Sequence, residues 1–415
     1  MTRHLFRLIW NRKRSNFLIM VEILCAFLVL EGVAVMATHY ANNYRQPLGF
    51  SIDRVWGIRM DVKGRGEDKS VRAAQMATVH QLFNAVRDLT EVEAVCAGFT
   101  MPYSNASWTS GHKMNGRQIN YAMNLATDDC NKVYDIAILR GRWFDRSDDG
   151  SAYRPVVVNE LFVREVFGDA DPVGKTVQTD RDPEEERARA DRGDKPPKPM
   201  RVVGVIKDFR QHGEYSTPEP YVFERADLSD PEAWPPRMLM IKVRSGTTPA
   251  FEETLTNRLQ SVAKDWSFGV TLLANQRDDK LLGYTGPLTL HAIVAGFLLL
   301  MVALGLTGVV WQNVTQRIRE IGLRRAKGAR VEDIHRQILG ELIVMTSLAL
   351  LVGVLLVAQI PLLPLPTDFT WIPLSVFVIS IVLSVLAIYV LTLLCGWYPA
   401  RLATKIQPAE ALHYE

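Results

Sequence analysis

Few residues in this chain have the types and spacing that chemistry needs. Residues 168–176 read GDADPVGKT, a glycine-containing loop that closes on Gly-Lys-Thr. A loop that cradles phosphate needs four residues between its first glycine and the Gly-Lys pair. Here there are five, and Asp169 stands where that glycine is required. Nucleotide binding at this loop is therefore excluded. Asp180, Asp182 and Glu184 belong to a charge-rich run that reads as solvated surface. His112, Asp208 and His212 have no partners at spacings that establish catalysis. There is no HExxH, no GxSxG and no Cys/His cluster. The expectation is a chain without intrinsic catalysis, metal or cofactor.

Two pairs of ionisable or redox-active residues remain. Cys96 and Cys130 lie in the polar middle of the chain. If that region is outside the cytoplasm a disulfide between them is open to the chain, and two unpaired thiols are an equal alternative. Cys25 and Cys395 sit in apolar runs and read as packing residues. Glu22 and Glu31 interrupt the first apolar run, residues 17–38. They are nine residues apart and so point to opposite faces of a helix. An intramembrane acid costs about 2.5–3.5 kcal/mol and normally faces protein. Glu31 is protonated, paired at a subunit interface, or part of a polar cavity; the sequence leaves these open.

The strongest charge feature is residues 316–330, QRIREIGLRRAKGAR, in which six of 15 residues are basic. It lies between two apolar runs, and a segment this basic stays in the cytoplasm. Glu320 is three residues from Arg317 and four from Arg324, the spacings of helical ion pairs. Gly328 permits a turn into the next segment. The net charge of the 415 residues is +3, too small for a nucleic-acid partner, and the basic residues cluster beside apolar runs.

The elements that must hold these residues follow from apolar length and periodicity. We read 1–16 as a cytoplasmic amphipathic N-terminus and 17–38 as the first span. Residues 39–286 are expected to form an extracytoplasmic domain of mixed α/β type with two lobes. Spans follow at 287–311, 342–360 and 373–397, each long enough to cross a bilayer. A cytoplasmic extension occupies 312–341, a proline-containing outer turn 361–372 and a cytoplasmic tail 398–415. Within the middle domain, strands are expected at 52–60, 92–99, 121–125, 155–159, 172–177, 201–206, 221–223, 238–243 and 268–273. Helices are expected at 70–89, 160–167 and 248–265, where apolar residues recur at helical spacing. Residues 102–120 read as loop and 180–199 as an exposed insertion. Residues 331–341 read as a short helix that bends towards the membrane before the third span. The strand order does not follow from the sequence.

The motifs resemble those of the MacB/FtsX/LolC-E type of ABC transporter permease. Gln316, Arg317, the EIGLRR of 320–325 and the AKGA of 326–329 match its cytoplasmic QR-x-x-EIGLRRA-x-GA segment. Residues 156–160 with 167–177, 202–209, 399–403 and 408–412 resemble further family segments. The resemblance implies a type VII, MacB-like architecture: an α/β extracytoplasmic domain plus an all-α four-helix transmembrane domain in the inner membrane. It implies a permease dimer, as homodimer or heterodimer, and a separate cytoplasmic ABC ATPase that binds ATP and Mg. A periplasmic adaptor is a further implied partner. The segment near 329–339 becomes the coupling helix, and Arg317, Glu320, Arg324, Arg325, Lys327, Gly328, Arg330, Ile334 and Ile338 become the ATPase-coupling residues. The expected function is export or extraction of a peptide, lipoprotein or small amphiphile. The alternatives are an FtsX-like scaffold that controls a periplasmic cell-wall hydrolase, and a sensor that reports peptide binding.

Overall fold

The computed structural model describes residues 13–61, 68–114, 116–177, 198–362 and 372–403. The amphipathic N-terminus, the acidic run at 180–184, most of the insertion, the outer turn and the C-terminal tail motif lie outside them. The chain divides into two compact units. One holds residues 1–42 and 284–415, and the other holds 43–283.

Helix α1 (Lys13–Tyr44) opens the chain. Strand β1 (Val55–Asp61) and helix α2 (Lys69–Arg87) follow, with Asp68 capping α2 by accepting from Ser70 N. Next come β2 (Val92–Gly98), β3 (Thr109–Met114), β4 (Arg117–Ala126), the single-turn α3 (Cys130–Val133) and β5 (Ile138–Gly141). Strand β6 (Arg154–Asn159) leads directly into α4 (Glu160–Phe167), and β7 (Met200–Ile206), β8 (Tyr221–Arg225) and β9 (Met238–Val243) follow. Helix α5 (Phe251–Val262) and β10 (Ser267–Leu272) complete the series before α6 (Leu273–Gln316). The last helices are α7 (Ile318–Ala326), α8 (Val331–Val357) and α9 (Leu374–Ala403).

Two sheets build the 43–283 unit. The first has order β10-β1-β9-β2 and is antiparallel throughout; the second has order β3-β4-β8-β6-β7-β5 and is mixed. The period of two along each strand sorts side chains to opposite faces. Trp56, Ile58 and Met60 of β1 join Leu239 and Ile241 of β9 against α2 and α5. Val156, Val158 and Val222 of the second sheet pack on Phe162 and Val163 of α4. The remaining faces share a central core of Cys96, Met240, Val157, Phe209, Tyr221 and Phe223. In that core a disulfide joins Cys96 on β2 to Cys130 on α3, with Cα atoms 4.6 Å apart. It therefore ties the first sheet to the chain leaving the second.

Three expectations are corrected. Residues 102–120 are not a loop throughout: β3 and the start of β4 form a hairpin, with Thr109 opposite Ala122 and Met114 opposite Arg117. The Asn-Gly pair at 115–116 is the short-range signal for that hairpin. Residues 172–177 do not form a strand. The chain turns there, with Lys175 N donating to Pro172 O at 3.0 Å, and Thr176 makes an isolated bridge to Arg201 that Val177 N supports by donating to Met200 O at 2.8 Å. Finally, 331–341 and the third span are one helix, α8. Nothing between them breaks it, because the single Gly340 is tolerated in a helix interior.

Four helices, α1, α6, α8 and α9, have stretches long and apolar enough to cross a membrane. In the unit of residues 1–42 and 284–415 they share a core of Ile23, Phe27, Val302, Leu306, Met345 and Ile388. Outward faces carry Leu290, Ile293, Phe297 and Leu304 of α6 and Val378, Val382 and Leu386 of α9, all exposed. This is the arrangement of a bundle solvated by lipid, and the chain is a multi-pass membrane protein with a large periplasmic domain.

Replacing both disulfide cysteines by serine (Cys96→Ser, Cys130→Ser) removes the constraint on a 34-residue separation. We expect a loss of about 3 kcal/mol in the stability of the periplasmic unit. Denaturant unfolding of the full chain in detergent, followed by tryptophan fluorescence, measures it.

Candidate functional site

The basic segment folds as a helical hairpin on the cytoplasmic side. Helix α6 stops at Gln316, α7 runs from Ile318 to Ala326, and α8 starts at Val331. Gly328, at φ 93°, makes the reversal between them in a conformation that L side chains rarely adopt. The acids Glu332 and Asp333 occupy the first turn of α8, where a helix N-terminus favours negative charge, and Arg330 N donates to Asp333 Oδ2 at 3.2 Å.

A charged network staples α7 to α8. Arg317 Nη1 donates to both Glu341 oxygens, at 2.8 and 3.0 Å. These side chains are only 17% and 13% exposed. Gln337 Nε2 approaches Glu341 Oε1 at 3.4 Å, and Arg324 Nη1 donates to Gln337 Oε1 at 2.5 Å. Arg324 Nη2 reaches Glu320 Oε1, also at 2.5 Å, one helical turn away. Below the network, Ile321 and Ile334 are buried and Ile338 is half-buried in the bundle core. The crevice between the helices holds about 40 Å³, room for a few waters and no ligand.

The sequence-derived residues thus separate by role. Arg317, Glu320, Arg324, Ile334 and Ile338 hold the hairpin together. Lys327, Gly328 and Arg330 are exposed at its tip. The Arg325 side chain lies outside the described residues. Sequence reading missed two apolar residues at the tip, Leu323 and Val331, which are 50% and 42% exposed. Their signal is apolar type within a polar, basic run.

The intramembrane acids face different helices. The Glu22 carboxylate lies against Gly305 of α6, where an added Cβ would sit 2.6 Å from Oε2. Glu31 is buried against α9, with Ser380 Oγ at 2.7 Å from its Oε1.

A second organised site lies in the periplasmic unit, in the loop 207–220 between β7 and β8. Arg210 is 2% exposed. Its Nη1 donates to the carbonyls of Asn43 at 2.7 Å and Gln46 at 3.2 Å, where α1 ends. Its Nη2 donates to the carbonyls of Glu214, at 2.6 Å, and Ser216. The Glu214 carboxylate in turn accepts from Arg277 Nε of α6 at 2.6 Å and from Tyr103 at 3.2 Å. Asn159 caps α4 by accepting from Phe162 N at 3.0 Å, and its amide donates to Asp208 Oδ1 at 3.3 Å. Burial raises the Asp208 carboxyl above its ordinary range. Burial, then the neighbouring Asp208 charge, pushes Glu219 up to about 7. Burial, helped by the Lys280 charge, lowers His212. Asp208 and His212, which the sequence left without partners, are thus built into a structural loop.

Family models match both parts of the chain. The MacB-like periplasmic core domain matches residues 33–258, and the FtsX-like permease C-terminal matches 292–408. The chain is 27% identical over 291 residues to the macrolide export ATP-binding/permease protein MacB of Chlorobium luteolum, covering 66% of this chain and 40% of that one. It is 25% identical over 303 residues to the pyoverdine export ATP-binding/permease protein PvdT of Pseudomonas syringae pv. tomato, covering 68% and 41%. The chain thus spans about 40% of the length of these relatives. The uncharacterized ABC transporter permease YvrN of Bacillus subtilis is 22% identical over 444 residues, covering 99% and 98%. The periplasmic region of MacB from Actinobacillus actinomycetemcomitans aligns with a TM-score of 0.37 and 14% identity, over 55% of this chain and 92% of that one.

Two predictions follow from this geometry. Glu341→Gln halves the charge pairing of the staple, at an expected local cost of about 1.5–3 kcal/mol. Amide exchange should quicken across 318–330 and stay unchanged in α9. For Glu219, a raised carboxyl favours the neutral form in the fold. Its contribution to stability is present below the ordinary glutamate range and lost as pH rises through about 7. Glu219→Gln should therefore raise the melting temperature at alkaline pH and leave it unchanged in acid.

Proposed function

This chain belongs to the family of FtsX-like permeases with a MacB-like periplasmic core domain, and on that premise we propose that it is the membrane subunit of an ABC-type system whose ATPase lies outside these 415 residues. The observation that carries the reading is the exposed tip around Lys327, Arg330 and Val331, mounted on the stapled pair of α7 and α8. A docking surface needs an apolar anchor and a charged rim, and this tip supplies both. ATP and Mg belong to the partner. Closure of the ATPase presses on the tip, and α8 carries the displacement into the bundle without a joint, because coupling segment and third span are one helix.

The working assembly in this reading contains two permease copies, or one with a related permease, and a periplasmic adaptor on the large domain. The cargo class is a peptide, lipoprotein or small amphiphile. Two relatives are named for export, one of macrolide and one of pyoverdine, which supports outward transport as the direction.

Purification of the native complex from membranes should recover an ABC ATPase; repeated recovery of the chain alone, under conditions that keep membrane complexes whole, would sink the proposal. Reversing the tip charges (Lys327→Glu with Arg330→Glu) should lower ATPase stimulation about tenfold, the weight of ~1.4 kcal/mol in a docking equilibrium. The protein should remain in the membrane at wild-type level.

A further inference from the structure

Residues 17–38, 287–311, 342–357 and 374–397, the membrane-spanning stretches, contain two acids, Glu22 and Glu31, one histidine, His291, and no Lys, Arg or Asp. Glu31 is 3% exposed. A charge buried so deeply without an opposing charge is the costliest arrangement a bundle can hold. The hydrogen-bond geometry around it identifies how the charge is avoided.

Ser380 Oγ on α9 is 2.7 Å from Glu31 Oε1 and 2.7 Å from the Phe377 carbonyl oxygen. A hydroxyl has one proton to donate, and a carbonyl can only accept. If Ser380 gives its proton to Phe377, it must accept from Glu31, and only the acid form of Glu31 can donate. If Glu31 were a carboxylate, two acceptors would compete for one proton, and one of the two short contacts would set lone pair against lone pair. The other oxygen, Oε2, is buried and makes no well-formed hydrogen bond, and Ser384 Oγ, one turn along α9, lies near the carboxyl without bond geometry. That is tolerable for the carbonyl oxygen of a neutral acid and severe for half of a carboxylate.

Among the described residues, no Lys or Arg forms an ion pair with Glu31. Glu22, on the same helix, is directed at Gly305 of α6. His39, eight residues beyond Glu31, lies against the Tyr40 ring at 6.1 Å. On α6, His291 Nδ1 is bonded to the Pro287 carbonyl at 2.7 Å. The other titratable groups on the spans are Cys25 on α1, and Cys395 and Tyr389 on α9, the last bonded to Ser347 of α8 at 2.8 Å.

We propose that Glu31 is a proton-binding site inside the membrane unit, held as the neutral acid, and that it clips α1 to α9 by donating to Ser380 only while protonated. When the two helices part and water enters, the Glu31 O–H bond breaks and its proton passes to that water. When they close, the carboxylate takes a proton back. Each opening of this seam releases one proton per chain.

Infrared difference spectroscopy on the full chain in lipid tests this. The wild-type minus Glu31→Gln spectrum at neutral pH should contain the C=O stretch of a protonated carboxyl. Ser380→Ala should shift that band, because the acid loses its acceptor. Glu31→Gln, whose amide also donates to Ser380, should keep wild-type thermal stability, and Glu31→Leu should lose it. Carboxylate bands in place of the acid band would overturn the proposal. If Glu31→Gln fails to fold, the Ser380→Ala comparison decides alone: an acid band that shifts supports the site, and an unshifted or missing band overturns it.

Discussion

The periplasmic unit depends on how Arg210 meets the end of α1. A helix leaves its last carbonyls without donors, and a membrane helix that ends beside a folded domain must find them in that domain. The Arg210 guanidinium supplies them to Asn43 and Gln46, and its positive charge lies at the negative end of the helix dipole. The same group fixes the carbonyls of Glu214 and Ser216, which sets the loop that receives Arg277 of α6. One side chain therefore ties residues 43–46 to the loop that holds Arg277. The loop is further held by Gln211, whose amide donates to Thr100 and Ala106 and whose oxygen accepts from Tyr221. Removing the guanidinium would leave the carbonyls of Gln46, Glu214 and Ser216 to be satisfied at once, while Asn43 keeps the Gln46 amide at 3.0 Å.

What was legible in the sequence was what short range decides. Apolar length marked the four membrane helices, and short continuous apolar runs marked β6, β7 and β9, because each signal is contained within its own element. The Glu320–Arg324 pair followed from a spacing of four. The family motif located the cytoplasmic hairpin. The remaining partners lie far away in sequence. Arg317 takes Glu341 at a separation of 24, Arg210 takes Asn43 at 167, and Ser380 takes Glu31 at 349. No periodicity announces such pairs; they exist only once packing has chosen the neighbours. The β3–β4 hairpin is a different case, since its Asn-Gly signal was local and was outweighed by the polar character of the strand residues around it.

Helix α9 sets hydroxyls among the apolar residues of its buried face. Along α9, Ser380, Ser384 and Thr392 recur at multiples of four and are buried, while Val378, Val382 and Leu386 face outward. Thr392 pairs with Thr346 of α8 at 3.2 Å. Interior hydroxyls and exterior aliphatics are what lipid selects, since lipid rewards no apolar burial and helices then associate through packing and hydrogen bonds. A hydropathy average over the segment cannot see this, because both faces count towards one number.

The Cys96–Cys130 link also orders the biogenesis of the chain. Strand β2 pairs with β9, not with the neighbouring β1, so its hydrogen-bonding partner lies more than a hundred residues downstream. During export from the first span onward, β2 emerges long before that partner. The disulfide needs no residue beyond 130 to close, and it belongs to the oxidising compartment where such bonds form. An unpaired, aggregation-prone strand is thereby tethered while the rest of its sheet is still on the other side of the membrane.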